Sequence, residues 1–280
     1  MRKIYFANTS WANSQTLVNN ILQQTDNDSG IWEDVTFTLN KDEADFIIVQ
    51  DGTSEKVDNS KVISLGREPK HVKVAYYEWK NESYGNYHHE YGNTWLPQTW
   101  WIKRPFNELK TLIPEKTKKL SVVDSGRIMT EYHKFRYELV KNLLDNHKES
   151  IDVYGHINPG KSLPPRDKSN ALFDYKYNLV IENGKTDFYF SEKFVDPVLY
   201  LTMPIYSGCK SIGKFFPKGS YIEFDDSKGV DYAKSQIFEI SNSNYREENI
   251  ENLKEARQLI LNKYNIWPTI KTAIDNKKIL

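Results

Sequence analysis

Short apolar runs alternate with stretches of helical period through the first part of the chain. Residues 3–7, 35–39, 45–50 and 61–65 are rich in Ile, Val, Phe and Leu and are bounded by polar turns, as buried strands are. Residues 14–24 place Leu17, Val18, Ile21 and Leu22 on one side of an amphipathic helix. This alternation predicts a layered α/β domain. A polar bridge from Pro114 to Lys119 follows, and a second α/β unit starts after it. The pattern there predicts a strand at 120–123 and a helix at 131–144 capped by Thr130. Phe135, Leu139, Val140, Leu143 and Leu144 form its core face, and a strand at 151–154 is ended by Gly155. Helices are expected at 230–240, 247–264 and 267–274. The expected domains are an N-terminal lobe at 1–115, a second lobe at 116–262, and a C-terminal helical segment at 263–280.

The most informative stretch is 175–208. Residues 177–181 read as a buried strand, and Glu182-Asn183-Gly184 as a turn. Ser191 can cap a helix carrying Phe194, Val195, Val198, Leu199 and Leu201, which Pro197 keeps short or bent. Residues 203–207 form the next strand, ended by Gly208. Such a βαβ unit favours a parallel sheet, whose ligands sit beyond the carboxyl ends of its strands. Glu182, Asn183, Tyr189, Ser191, Glu192 and Lys193 fall on that rim. Lys193 opposes the helix dipole, a conflict that a bound phosphate would remove. Glu192 suits sugar or ribose hydroxyls. Taken alone, the pair also reads as two solvated residues at a helix start.

Composition narrows the partners. The 280 residues carry 38 basic and 38 acidic side chains, so there is no general nucleic-acid surface and phosphate recognition must be local. The lone cysteine, Cys209, excludes an internal disulfide and suits a reducing compartment. No apolar run is long enough to span a bilayer and no signal-peptide pattern stands at Met1, so a cytoplasmic location is expected, with peripheral membrane association left open. Residues 76–101 are dense in Tyr and Trp, whose faces suit sugar rings although many belong in a core. The adjacent His88 and His89 are a poor chelating pair, and no metal site is expected.

The linked motifs Tyr175-Lys176-Tyr177, Glu182-Asn183, Tyr189-Phe190-Ser191-Glu192-Lys193 and Pro204-Ile205-Tyr206-Ser207-Gly208 resemble the donor-binding core of glycosyltransferase family 10, the α-1,3/4-fucosyltransferases, in a bacterial-type form. Ser191 replaces the usual Thr and keeps the hydroxyl. The segment 216–222 is similar to the one that follows in the family. The resemblance implies a GT-B fold, two Rossmann-like α/β lobes facing a central cleft. It also implies inverting transfer of L-fucose from GDP-β-L-fucose to a hydroxyl of an oligosaccharide or glycoconjugate, α-1,3 to a GlcNAc-type sugar. Donor binding then falls to Arg136, Asn183, Tyr189, Glu192 and Lys193. Arg136 matches a His-x-x-Arg pattern, with Arg127 and His133 as rivals for the diphosphate. No cofactor is required, and a divalent metal is at most stimulatory. Glu68, extended by Pro69, is the expected base for the acceptor hydroxyl; its plainer reading is an exposed turn glutamate. Two alternatives stand beside this: a transferase for another nucleotide-sugar, or a non-catalytic glycan-binding protein on the same fold.

Overall fold

A computed structural model of the chain describes residues 1–9, 12–50, 52–66 and 99–277. Glu68, His88, His89 and all of 76–98 in the aromatic-rich segment lie outside the described residues. The elements of the first lobe are β1 (Arg2–Phe6), α1 (Ser14–Asn19), β2 (Ile31–Trp32), β3 (Val35–Phe37), β4 (Phe46–Gln50) and β5 (Val62–Leu65). They are followed by α2 (Phe106–Thr111), β6 (Lys118–Asp124), α3 (Glu131–Asn146), β7 (Asp152–Gly155), α4 (Ser169–Leu172), β8 (Tyr175–Ile181) and α5 (Glu192–Leu199). The chain continues through β9 (Met203–Ser207), β10 (Ile222–Glu223), α6 (Val230–Ser241), α7 (Tyr245–Glu248), α8 (Ile250–Leu259) and α9 (Ile266–Lys277).

Two five-stranded sheets result, in the orders β2-β3-β1-β4-β5 and β10-β9-β8-β6-β7. Every pairing is parallel except the β2–β3 hairpin. In each sheet the order reverses beside the first parallel strand, between β1 and β4 and between β6 and β8. These are two doubly wound, Rossmann-like units on one chain, the α/β GT-B class that the sequence implied. The central strand β8 is apolar along most of its length because it is buried on both faces: only Lys176 and none of its other six residues escapes burial.

The second sheet anchors the larger core, from Leu120 and Val122 through Tyr177, Leu179 and Ile205 to Phe194 and Leu253. The first sheet packs Ile4, Phe6, Ile48 and Ile63 against Leu17 and Val18 of α1. Its remaining cover comes from the far end of the chain: Ile266, Trp267, Ile270 and Ile274 of α9 belong to the same cluster. Trp267 is fully buried and donates from Nε1 to the Ile21 carbonyl at 3.0 Å. Arg2 pairs with Asp275 at 2.7 Å on the surface nearby.

Two helices are shorter than their periodicity suggests. α1 stops at Asn19-Asn20, and the chain tightens into a 3₁₀ turn at Leu22–Gln24, where Thr25 Oγ1 donates to the Leu22 carbonyl at 2.8 Å. The expected helix at 247–264 is interrupted at Asn249, whose side-chain and backbone amides both donate to the Tyr245 carbonyl, at 2.9 and 3.0 Å. It then widens into a π-turn at Ile260–Tyr264 before α9.

Candidate functional site

The carboxyl ends of β6 and β8, with the first turns of α3 and α5, converge at the switch point of the second sheet. Asp124 ends β6. One carboxylate oxygen, Oδ1, accepts from the Gly126 amide at 2.8 Å, and the other faces Arg136 Nε at 3.5 Å. Gly155, at φ 109°, is required beside it, since a Cβ there would lie 2.1 Å from the Asp124 carbonyl oxygen.

Arg136 is not a surface arginine. Its side chain is 5% exposed, and Nη1 donates to Asn183 Oδ1 at 2.9 Å and to the Ile181 carbonyl at 3.4 Å. Asp124 and the end of β8 thus hold the guanidinium from the protein side. Thr130 caps α3, accepting from the His133 amide at 3.2 Å, and its hydroxyl also meets His133 Nδ1 at 2.7 Å. Burial, then the charges of Arg136 and Lys193, push His133 down to about 4, so it stands neutral at physiological pH. Arg127, the other rival for an anion, is exposed.

Ser191 caps α5 as the sequence predicts, and its partner is Glu182. The Glu182 carboxylate accepts from the Ser191 amide at 2.8 Å and the Ser191 hydroxyl at 2.6 Å. Here the structure corrects the sequence reading: Glu182 is not a rim residue facing a ligand but is fully buried beneath the start of α5. Gly208 makes room, because a Cβ there would lie 2.5 Å from Glu182 Cγ. Lys193 is reached from the same cap, with Nζ 3.4 Å from Ser191 Oγ and 3.9 Å from Glu182 Oε2. Glu192 is held by ammoniums on both sides, Lys168 at 3.2 Å and Lys193 at 3.4 Å. Burial works to raise its carboxyl, but the two ammoniums outweigh this and hold it well below the usual range. Tyr189 follows the loop inward and, at 2% exposure, presents almost no surface to a ligand.

Glu182 supplies a pH signature. Burial outweighs the Lys193 charge and raises its carboxyl to about 7, from 4.5 in a free chain. Between those values the folded protein holds a proton that the unfolded chain has released, so this group's contribution to stability falls as pH rises through the window. The effect is on the order of 3 kcal/mol. His133 works in the opposite direction below pH 6.5, and Asp196, raised by burial to about 6, works in the same direction as Glu182. The difference between wild type and Glu182→Gln isolates Glu182: plotted as Tm from pH 5 to 8, the wild-type curve should fall more steeply. Parallel curves would show that Glu182 does not titrate there.

Three further groups leave no mark in the sequence pattern. Asp124 closes an apolar strand and reads as a simple strand end. Lys168 and Asp196 form a buried pair at 3.0 Å behind Glu192. At the ends of β9 and β10, Asp226 accepts from Tyr132 at 2.8 Å, Ser207 at 2.6 Å and Lys185 at 2.7 Å, a cluster drawn from four separate segments that no single-stretch motif can reveal. Among the described residues no group of His, Cys, Asp and Glu could hold a metal ion, and no helix is long and apolar enough to cross a membrane.

A guanidinium, an ammonium and a helix N-terminus around the switch point of a doubly wound sheet are the equipment of a nucleotide-binding protein. Residues 113–248 match the model of glycosyltransferase family 10 (fucosyltransferase), C-terminal domain, and that stretch is what the chain has in common with the family. An α-(1,3)-fucosyltransferase, FucT, of Helicobacter pylori is 37% identical over 72 residues, which are 26% of this chain and 15% of that protein's length. Among solved structures, an α1,3-fucosyltransferase with GDP aligns over 98% of this chain and 90% of its own at 19% identity and a TM-score of 0.49. The same description with GDP-fucose gives 19% identity and a TM-score of 0.48, over 98% and 90% of the two chains.

Proposed function

We propose that the protein is an inverting fucosyltransferase that takes L-fucose from GDP-β-L-fucose to a hydroxyl of a glycan, α-1,3 to a GlcNAc-type sugar. The observation that carries this reading is the placement of Arg136, Asn183 and Lys193 around the switch point of a family 10 domain, with His133 feeling the charge of both cations. Arg136 is pre-oriented by Asp124 and Asn183, and Lys193 stands at the start of α5. Both would face a diphosphate that needs positive charge on departure. Glu192, ionised and 22% exposed, would accept from ribose or sugar hydroxyls. Tyr189 would contribute packing behind the donor rather than a direct contact.

In the proposed step, the acceptor oxygen bonds to fucose C1 while the C1–O bond to the β-phosphate breaks, its electron pair leaving with GDP. Glu68 takes the acceptor proton. The configuration at C1 inverts in this single displacement. Positive charge for the leaving group comes from Arg136, Lys193 and the α5 amides rather than from a divalent ion. A cytoplasmic setting and peripheral contact with a membrane-borne acceptor are part of the same proposal, to be tested by fractionation.

The deciding experiment pairs binding with turnover. GDP and GDP-fucose at about a hundred times their dissociation constants should stabilise the wild type by about 2.7 kcal/mol in thermal unfolding, with UDP-sugars ineffective. Glu68→Gln should show the same shift yet lose transfer by about a hundredfold, the lower range for a removed general base. Stabilisation by a different nucleotide would discard fucose. Near-normal turnover in Glu68→Gln would discard that base.

A further inference from the structure

Behind the donor-facing residues lies a charge that the proposed chemistry does not use. Lys168 comes from the loop before α4, far in sequence from α5, and its side chain is only 13% exposed. Its ammonium lies 3.2 Å from Glu192 Oε1 and 3.0 Å from Asp196 Oδ2, one helical turn apart on α5. The Glu192 oxygen it meets is the same Oε1 that Lys193 meets at 3.4 Å. One carboxylate oxygen is therefore shared by two ammoniums, one internal and one at the helix start.

The backbone around Lys168 is pinned as well. Its amide donates to the Trp101 carbonyl at 2.8 Å, while the Trp101 amide donates to Asp196 Oδ1 at 2.9 Å. The ammonium also lies 5.4 Å from the centre of the Trp101 ring. Lys168 is held by Trp101 at its backbone amide and by two carboxylates at its ammonium, whereas Lys193 at the helix start is the more exposed of the two, at 21%, and meets Glu192 Oε1 and Ser191 Oγ at 3.4 Å each.

We propose that Lys168 is a positioning residue for the donor site, neutralising Glu192 from behind so that Lys193 remains available to the donor diphosphate. Without it, the only ammonium left beside Glu192 among the described residues would be that of Lys193, and their attraction would strengthen at the expense of the phosphate contact. Asp196 has a subsidiary part: it fixes Lys168 and Trp101 but does not touch Glu192. The raised Lys168 pKa, where burial is outweighed by the Glu192 and Asp196 charges, agrees with a permanently charged pivot.

This inference rests on the proposed function, and the test separates the two. GDP affinity is measured by calorimetry, and KM for GDP-fucose and kcat by turnover, for wild type, Lys168→Met and Lys168→Arg. Lys168→Met should raise the GDP Kd and the donor KM by at least about tenfold while kcat changes much less. Lys168→Arg should restore both to near wild type, because a guanidinium can pair with the two carboxylates. Should Lys168→Met fail to fold because Asp196 is left buried and unpaired, the double variant Lys168→Met/Asp196→Asn removes that charge, keeps the acceptor for the Trp101 amide, and should show the same loss of donor affinity. A folded variant whose Kd and KM stay within about twofold of wild type would overturn the role of Lys168 and leave the proposed function standing. A wild type that binds no GDP or GDP-fucose would overturn both.

Discussion

Lys193→Ala should lower kcat/KM for GDP-fucose by about a thousandfold, at the upper end of what one electrostatic donor supplies. The loss should appear in both constants. Lys193 would bind the ground-state diphosphate, raising KM when removed, and would meet the greater charge that develops on the leaving oxygen, lowering kcat when removed. Folding should be little affected, because the side chain is 21% exposed and its near neighbours, Ser191 and Glu192, keep other partners. The measurement is steady-state fucosyl transfer with Tm as the control. A loss confined to Tm, with normal kinetics on the folded fraction, would remove Lys193 from the site.

Arg136→Met should damage both stability and donor binding. The arginine is 4% exposed, and its Nε faces Asp124 Oδ2 at 3.5 Å in a site where, among the described residues, neither atom has another hydrogen-bonding partner. Removing the cation leaves a buried carboxylate unpaired, which costs about 3–5 kcal/mol. It also removes the guanidinium proposed to face the diphosphate. Adding Asp124→Asn should recover much of the stability, since the stranded charge is gone, but none of the GDP affinity. Denaturant unfolding and GDP calorimetry on the single and double variants separate the two roles. If the double variant regained GDP binding, the arginine would be structural only.

The sequence was most readable where chemistry lies close together along the chain. Ser191, Glu192 and Lys193 occupy the helix start their order predicts, and Thr130 caps the helix that carries Arg136. Strands survived as apolar runs, with β9 found at 203–207 as read from the pattern. What escaped is what depends on distant partners. Glu182 looks like a polar turn residue until Gly208, 26 positions later by numbering, is seen to make space for it beneath Ser191. Lys168 stands in a polar loop like any other lysine, and only the packing of that loop against α5 buries it. Asn249 was hidden for a different reason: helical periodicity runs through it, and the interruption leaves the apolar pattern unbroken.

The dependence of the first sheet on α9 has a consequence for how the protein comes into being. A chain leaves the ribosome from its N-terminus, so β1 to β5 emerge before the second lobe, yet Trp267, Ile270 and Ile274, which close their core, emerge after it. The second lobe has its own sheet and most of its own cluster in hand before then. Vectorial synthesis therefore reverses the order of the lobes: the one made first is finished last, and its apolar face waits through the making of the other.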